Sequence, residues 1–388
     1  MRLSLFFYIF SGIWILVFSY VSHRVLKLFK LKGWKKTFAW SGVVLISAFV
    51  LGFTWFYRTA SIKPSQPWIK PLLWAHYSFS GFILLMFFSL ILFEIAQRVL
   101  WLFKRSYLQE RREFLANFTG IGALALSTGF GGIGYVQARS FPRVRRVAVP
   151  MANLPQDLID LQIVQITDLH IGATLDKDFL EKVVATVNAL NPDIVAVTGD
   201  AIDGYVENLS SQIQAFSQLK AKYGVFFVTG NHEYYWDATA WCQEFRRLGL
   251  RVLNNEHEIL KIGKTQICLG GVTDYRADRF NPDEKSSPMK AIAGVPKLDL
   301  RILLAHQPKS CFEAKEAGFD LQISGHTHGG QFWPVRLIAW LVHPYLDGLH
   351  LHEGEMWIYV SPGTGYWGPP LRLGVPSEIT QIVLVSAV

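Results

Sequence analysis

Five short polar motifs follow apolar, strand-like runs in the second half of the chain: Asp168-Leu169-His170, Gly199-Asp200, Gly230-Asn231-His232-Glu233, Ala305-His306 and Gly325-His326-Thr327-His328. Among them they offer two aspartates, an asparagine and several histidines, and no cysteine. Carboxylate, amide and imidazole donors in that number suffice for two adjacent divalent cations, and suit Mn, Fe or Zn. Two cations sharing one carboxylate are a device for attack on a phosphate ester.

The elements between the motifs must bring them together. Residues 161–166 read as a strand that ends at Asp168 and His170; residues 177–190 carry Phe179, Leu180, Val183, Val184, Val187 and Leu190 at helical spacing; residues 193–197 read as the next strand, ending at Gly199-Asp200. A helix is expected at about 208–222, then a strand at 225–228 running into Gly230-Asn231. The steps from 168 to 200 and from 200 to 231 are 32 and 31 residues, the length of a strand–helix–strand unit. Such units carry successive strand ends to one edge of a sheet. Further strands are expected at 266–272, 301–305, 320–324, 356–361 and 379–385, with helices near 237–248 and 309–317. Glycines 199, 230 and 325 adjoin the motifs, as close backbone approach demands.

The first part of the chain is of another kind. Residues 1–150 hold 19 Lys+Arg and 3 Asp+Glu, a net of +16, whereas residues 151–388 hold 19 and 27, a net of −8. A net-acidic second half has no basic face to dominate binding to a polyanion, so no nucleic-acid partner is expected. Residues 3–22, 37–57, 71–93 and 114–138 carry no Asp, Glu, Lys or Arg, and each is long enough to cross a bilayer as a helix. Trp40, Trp55, Tyr57, Trp74 and Trp101 sit near their ends, where an interfacial belt belongs. The loops at 23–36 and 94–113 together hold 11 basic residues against 8 on the alternate side, which favours a catalytic half outside the cytoplasm. Arg111-Arg112-Glu113-Phe114-Leu115 resembles a twin-arginine export signal. His76 and Glu94 are ionisable groups in or beside the third span, expected at the interface. We therefore expect a transmembrane helical region over 1–138, a linker over 139–160 and a catalytic domain over 161–388. Cys242, Cys268 and Cys311 are odd in number and widely spaced, which implies buried thiols and no disulfide framework.

The ordered set Asp-x-His, Gly-Asp, Gly-Asn-His-Glu, His, Gly-His-x-His resembles the calcineurin-like metallophosphoesterase superfamily, over roughly 160–388. Gly-His-Thr-His-Gly-Gly-Gln (325–331) and Pro369-Pro370-Leu371-Arg372 are similar to its bacterial membrane-associated phosphodiesterase branch. The resemblance implies an α/β fold, a four-layer sandwich of two mixed sheets flanked by helices, here preceded by an all-α transmembrane region of about four helices. It implies that Asp168, His170 and His328 hold one metal, that Asn231, His306 and His326 hold a second, and that Asp200 bridges them. His232 would face the substrate phosphate and, with Asp200, act in catalysis; Asn231 and Arg372 would also meet the substrate. Asp203 and Glu233 are candidates for orienting imidazoles. His343, His350 and His352 are expected in a loop near the mouth of the site. The apolar stretch 332–349 reads either as a buried helix or as an amphipathic element that rests on a bilayer and admits a lipid-linked substrate. The expected activity is hydrolysis of a phosphodiester or pyrophosphate of a lipid or envelope substrate. Two alternatives are a UDP-2,3-diacylglucosamine pyrophosphatase of lipid A synthesis, which needs a cytoplasmic site, and an inactive metal-binding membrane scaffold.

Overall fold

The computed structural model describes residues 2–28, 31–59, 68–103, 109–296 and 298–387. The chain divides into two compact units, Met1–Val136 with Gly368–Leu371, and Gln137–Trp367 with Arg372–Val388.

The first unit consists mainly of four helices, α1 (Arg2–Leu28), α2 (Gly33–Thr59), α3 (Ile69–Phe103) and α4 (Gln109–Arg139, whose last turn lies in the second unit). Trp14, Phe18 and Val21 of α1 pack with Val50 of α2, Ile83, Met86 and Leu90 of α3 and Ala123 of α4. Among the described residues two segments are long and apolar enough to cross a membrane, Gly33–Phe53 and Ile69–Val99. Of the two ionisable groups of the third apolar run, Glu94 accepts a hydrogen bond from Tyr20 Oη at 2.6 Å and pairs with Arg24, while His76 is buried against the Phe53 ring. A charge in an apolar bundle needs such a partner. Lys30, Lys63, Lys104 and Arg105, part of the loop charge tally, lie outside the described residues.

The second unit holds twelve strands: β1 (Arg143–Met151), β2 (Gln162–Ile166), β3 (Ile194–Thr198), β4 (Gly224–Val228), β5 (Arg251–Val252), β6 (Glu256–Ile262), β7 (Thr265–Gly271), β8 (Arg301–Leu304), β9 (Leu321–Ser324), β10 (Gly348–His352), β11 (Met356–Val360) and β12 (Glu378–Ser386). They form two six-stranded sheets, ordered β1-β12-β2-β3-β4-β5 and β10-β11-β9-β8-β7-β6. Both are mixed. β12 runs antiparallel to β2 in the first, and β6 and β10 run antiparallel to their neighbours in the second.

The central strands are apolar on both faces because both faces are covered. Ile194, Ala196 and Phe226 of the first sheet meet Ile302, Leu304, Leu321 and Ile323 of the second in one shared core. Phe227, one residue on, turns the other way and stacks near Phe245 of the helix Ala238–Arg247, ring centroids 4.2 Å apart. Leu303 likewise faces Cys311 and Ala314 of the helix Cys311–Glu316. Alternation along each strand thus builds helix, sheet, sheet, helix.

Two local expectations fail. Residues 143–151, expected within a linker, form β1, paired in parallel along its whole length with β12. Its arginines sit at the exposed start while Val147, Val149 and Met151 are buried, so the basic composition concealed an edge strand. The helix expected at about 208–222 is instead a short turn of helix, Val206–Leu209, and a 3-10 segment, Gln214–Gln218.

Candidate metal centre and its surroundings

The motifs occupy the loops that leave β2, β3, β4, β8 and β9, three strands of one sheet and two of the other. The parallel registers of β2, β3 and β4, and of β8 and β9, bring those loops out at matching ends. Their side chains converge. Asp168, His170 and His328 form one buried trio with donor atoms within 4.8 Å of one another, and Asp200, His306 and His326 form another. His170 Nε2 lies 3.0 Å from His328 Nε2, and His328 Nε2 lies 3.4 Å from Asp168 Oδ1. His306 Nε2 lies 3.1 Å from Asp200 Oδ2 and 3.2 Å from His326 Nδ1. Asp200 Oδ2 is also 4.0 Å from His170 Nε2, so that one carboxylate stands between the two trios. Asn231, the remaining expected donor, has a buried Oδ1 that accepts no hydrogen bond from the described residues. A buried amide oxygen without a donor is costly unless something cationic faces it, and the donor set therefore fits a pair of divalent ions.

The loops are bent to aim these donors. Asp168, His170, Asp200, His326 and His328 all have φ between +48° and +71°, the left-handed region that side-chain-bearing residues rarely adopt. Each such residue costs on the order of 1 kcal/mol or more, and clusters of them mark functional sites. Gly199, at φ +84°, lies so near the Gly230 backbone and His306 Nδ1 that a Cβ there would fall within 3.0 Å of both.

Neighbouring groups lock the donors. Thr167 Oγ1 donates to Asp168 Oδ2 at 2.8 Å, and the His326 amide donates to both Asp168 oxygens at 3.0–3.1 Å. His306 Nδ1 donates to the Thr198 carbonyl at 2.8 Å, which leaves Nε2 for the site. Glu233 is not a ligand but a clamp: its carboxylate accepts the amides of Asp200 at 3.0 Å, Ala201 at 2.9 Å and Gly230 at 2.7 Å. Asp203 serves two rings. It takes the Nδ1–H of His232 in a short hydrogen bond, and lies 3.2 Å from His170 Nδ1, outside good hydrogen-bond alignment.

The electrostatics favour bound positive charge. Burial would raise the Asp200 carboxyl, but the imidazoles of His306 and His232 hold it well below the usual range. Burial opposes charge on His306, yet Asp200 and Asp168 push it up to about 10. His232 is treated alike: burial lowers it, and Asp203 and Asp200 outweigh that and raise it to about 9. Burial, with the neighbouring rings His306 and His170 respectively, drives His326 and His328 well below their ordinary value, so both are neutral, lone-pair donors.

Arg372, expected to meet substrate phosphate, is fully buried. It spends its donors on the carbonyls of Gly365, Val375 and Pro362, at 2.6–3.1 Å, with Nη2 3.3 Å from His328 Nδ1. Of the three later histidines only His343 adjoins the centre, its ring 5.3 Å from that of His326; His350 and His352 pack on Tyr345. The helix Val335–Val342, for which burial was one expectation, has no buried residue. One loop went unread in the sequence. After β11 the Thr364 amide donates to the Thr167 carbonyl at 2.8 Å and that of Gly365 to the Asp168 carbonyl at 3.0 Å, while Trp367 brings its ring to 5.7 Å from His232. Its signal was a glycine-rich turn, Pro362-Gly363-Thr364-Gly365, after an apolar strand, the same pattern that flagged the ligand loops.

Comparison with known proteins agrees with this geometry. A family model described as calcineurin-like phosphoesterase matches residues 161–330. A "transmembrane protein with metallophosphoesterase domain" from Danio rerio is 35% identical over 319 residues, 80% of this chain and 73% of that protein. An uncharacterized metallophosphoesterase from Helicobacter pylori is 35% identical over 372 residues, covering 95% of each chain. Among solved structures, the calcineurin-like phosphoesterase YfkN from Bacillus subtilis aligns at 15% identity over 53% of this chain and 82% of that one, with a TM-score of 0.36. This chain belongs to the calcineurin-like metallophosphoesterases, hydrolases of phosphoester bonds that use two divalent metal ions.

Proposed function

We propose that the chain is a membrane-anchored phosphohydrolase that cleaves phosphodiester or pyrophosphate bonds of lipid or envelope substrates. The observation that carries this reading is a run of overlapping buried groups able to hold metal, Asp168/His170/His328, His170/Asp200/His232 and Asp200/His306/His326, with Asp200 shared between the last two; we read His232 as the member that stays off the ions. Asp168, His170 and His328 would hold one ion; Asn231, His306 and His326 the other; Asp200 would touch both. Such ions supply charge neutralisation at the phosphoryl oxygens and an activated water for in-line attack.

The chain's own groups do the rest. His232 donates its Nδ1–H to Asp203 in a hydrogen bond, so its Nε2, 3.9 Å from Asp200 Oδ2, is the end turned to the site. The Asp203 carboxylate facing Nδ1 favours the protonated ring, which can pass a proton from Nε2 to the departing alkoxide. Asn231 and His232 open the helix Asn231–Tyr235, and both would meet the substrate. Arg372 acts as a positioning residue, since its guanidinium ties the 362–365 turn beside His328.

We assign a membrane region to 1–138 and, beyond it, a catalytic domain whose first sheet takes in β1 of the 139–160 connection. The apolar segments Gly33–Phe53 and Ile69–Val99 support it, as do relatives named transmembrane proteins. Four charge-free runs and the basic-loop tally support four spans with the catalytic domain outside the cytoplasm. A screen of phosphomonoesters, diesters and pyrophosphates, lipid-linked ones included, tests the reading, with Mn, Fe or Zn supplied and Asp200→Asn as blank. Wild-type turnover of diester or pyrophosphate, absent in the blank and reduced about 10²-fold or more in His232→Ala, is expected. Turnover confined to monoesters, or equal in wild type and blank, refutes it.

A further inference from the structure

The helix Val335–Val342 is an apolar helix left uncovered beside a metal centre. None of its residues is buried, and Leu337, Ile338, Trp340, Leu341 and Val342 are each at least half exposed, Leu341 to 77%. Trp333, just ahead of it, is 53% exposed. Water is a poor neighbour for so contiguous an apolar surface.

Both ends of the helix are fastened to ligand-bearing loops. Arg336 Nη1 donates to the Gly329 carbonyl at 2.6 Å, one residue past His328, and its Nη2 pairs with Asp347 at 2.8 Å. The Arg336 backbone lies so close over Gly330 that a Cβ there would intrude within 3.0 Å. At the other end His343 caps the helix and sets its ring against His326. A second exposed aromatic stands near the reacting groups. Trp367, 52% exposed, exchanges two 3.0 Å hydrogen bonds with the Gln331 side chain and lies near His232. Apolar surface therefore borders the place where a phosphate would meet His232.

The composition says what covers it. From Gly329 to Leu346 there is no acidic residue, and the single cation, Arg336, is turned inward to Asp347 and the Gly329 carbonyl. Nothing charged opposes burial in hydrocarbon, and the two tryptophans suit the headgroup boundary. The same chain carries segments fit to cross a bilayer. We propose that the helix Val335–Val342 seats in the acyl boundary of a phospholipid bilayer and forms the threshold over which a lipid-borne phosphoester reaches His232. The proposal rests on the membrane-anchored phosphohydrolase reading and names its substrate class.

The test uses the full chain reconstituted in phosphatidylcholine/phosphatidylglycerol nanodiscs. Leu341→Cys labelled with a nitrobenzoxadiazole dye should be quenched by nitroxide-labelled phosphatidylcholine, while the same label at Glu181→Cys, on the exposed face of the helix Lys177–Ala189, should not. Trp333→Ser combined with Trp340→Ser should lower kcat/KM for a phospholipid in the disc by about 10-fold or more, and leave soluble bis-p-nitrophenyl phosphate within about twofold. Absence of quenching at position 341, or equal losses on both substrates, overturns the proposal. So does a disulfide-linked dimer of Leu341→Cys in place of lipid quenching, which hands the surface to a second copy. Failure of the hydrolase reading is distinguishable: wild type would cleave neither substrate, while quenching would still report the seating.

Discussion

Gly325→Ala isolates the steric demand of the metal centre. Gly325 is not in the left-handed region, so alanine meets no backbone penalty there. What it meets is Asp168. The added Cβ would lie closer than 3.0 Å to Asp168 Oδ2, Thr167 Oγ1 and Thr167 Cγ2, a separation that real Cβ atoms essentially never show. None of the three can yield freely. Thr167 Oγ1 is tied to Asp168 Oδ2 at 2.8 Å and to the Thr198 carbonyl at 3.0 Å, and both Asp168 oxygens hold the His326 amide. Relief requires shifting Asp168 or the β9 loop that carries His326 and His328. Overpacking of this kind costs about 1–3 kcal/mol, and a ligand moved by about 1 Å costs on the order of 10²-fold in rate. The matched control is Gly374→Ala. Gly374 has open space around its Cβ position but φ +77°, so alanine there pays about 1–2 kcal/mol in backbone strain alone. We expect both variants to lose similar stability by thermal unfolding without metal. Only Gly325→Ala should lose the Mn-induced rise in Tm, bound Mn after dialysis, and about 10²-fold in kcat. Wild-type Mn content and kcat within twofold in Gly325→Ala would refute the claim that this glycine is required by the Asp168 carboxylate.

Three other perturbations probe separate links. Glu233→Gln replaces one of two oxygens that accept the amides of Asp200, Ala201 and Gly230 with an N–H donor; a loss of about 1–3 kcal/mol in denaturant unfolding is expected, and an unchanged midpoint contradicts the clamp. Asp203→Asn loosens His232 and His170 together; kcat should fall about 10–100-fold with KM little changed and with recovery in Asp203→Glu, whereas a pure KM effect would show that Asp203 binds substrate instead. Chelation of wild type should remove the stabilisation that saturating metal confers, about 2.7 kcal/mol at a hundredfold excess over Kd. His232→Ala should keep that metal response and Asp200→Asn should lose most of it; a metal response lost in His232→Ala would make His232 a ligand.

The donors were legible because strand ends are legible. Short continuous apolar runs, ended by Gly, Asp, Asn and His at steps of about 31 residues, locate loops on a sheet edge. Residue type then says which loops can bind cations. What residue type cannot carry is the sign of φ. Five of the seven donor residues sit in the left-handed region, and that bend lets Asp168 and His170, two residues apart, turn into one trio with His328. Nor does type fix which way a long side chain points. Arg372 beside two prolines reads as a phosphate anchor, yet the carbonyls of Gly365, Val375 and Pro362 draw its guanidinium inward. β1 shows the converse error, in which Arg143, Arg145 and Arg146 in a stretch of linker composition hid the inward-facing Val147, Val149 and Met151.

The 362–367 loop explains why the rest was out of reach. It supplies no ligand, only amides to the Thr167 and Asp168 carbonyls, a hydroxyl, and the ring of Trp367. Backbone donors have no side-chain signature. They nonetheless hold the strained Asp168 turn on its far side, where a Cβ added at Gly365 would fall within 3.0 Å of the Asp168 and Leu169 carbonyl oxygens. The centre is therefore built by two kinds of loop. One kind places donors and shows itself in the sequence by residue type. The other keeps those donors bent by backbone contact, and shows itself only as glycine density after an apolar strand.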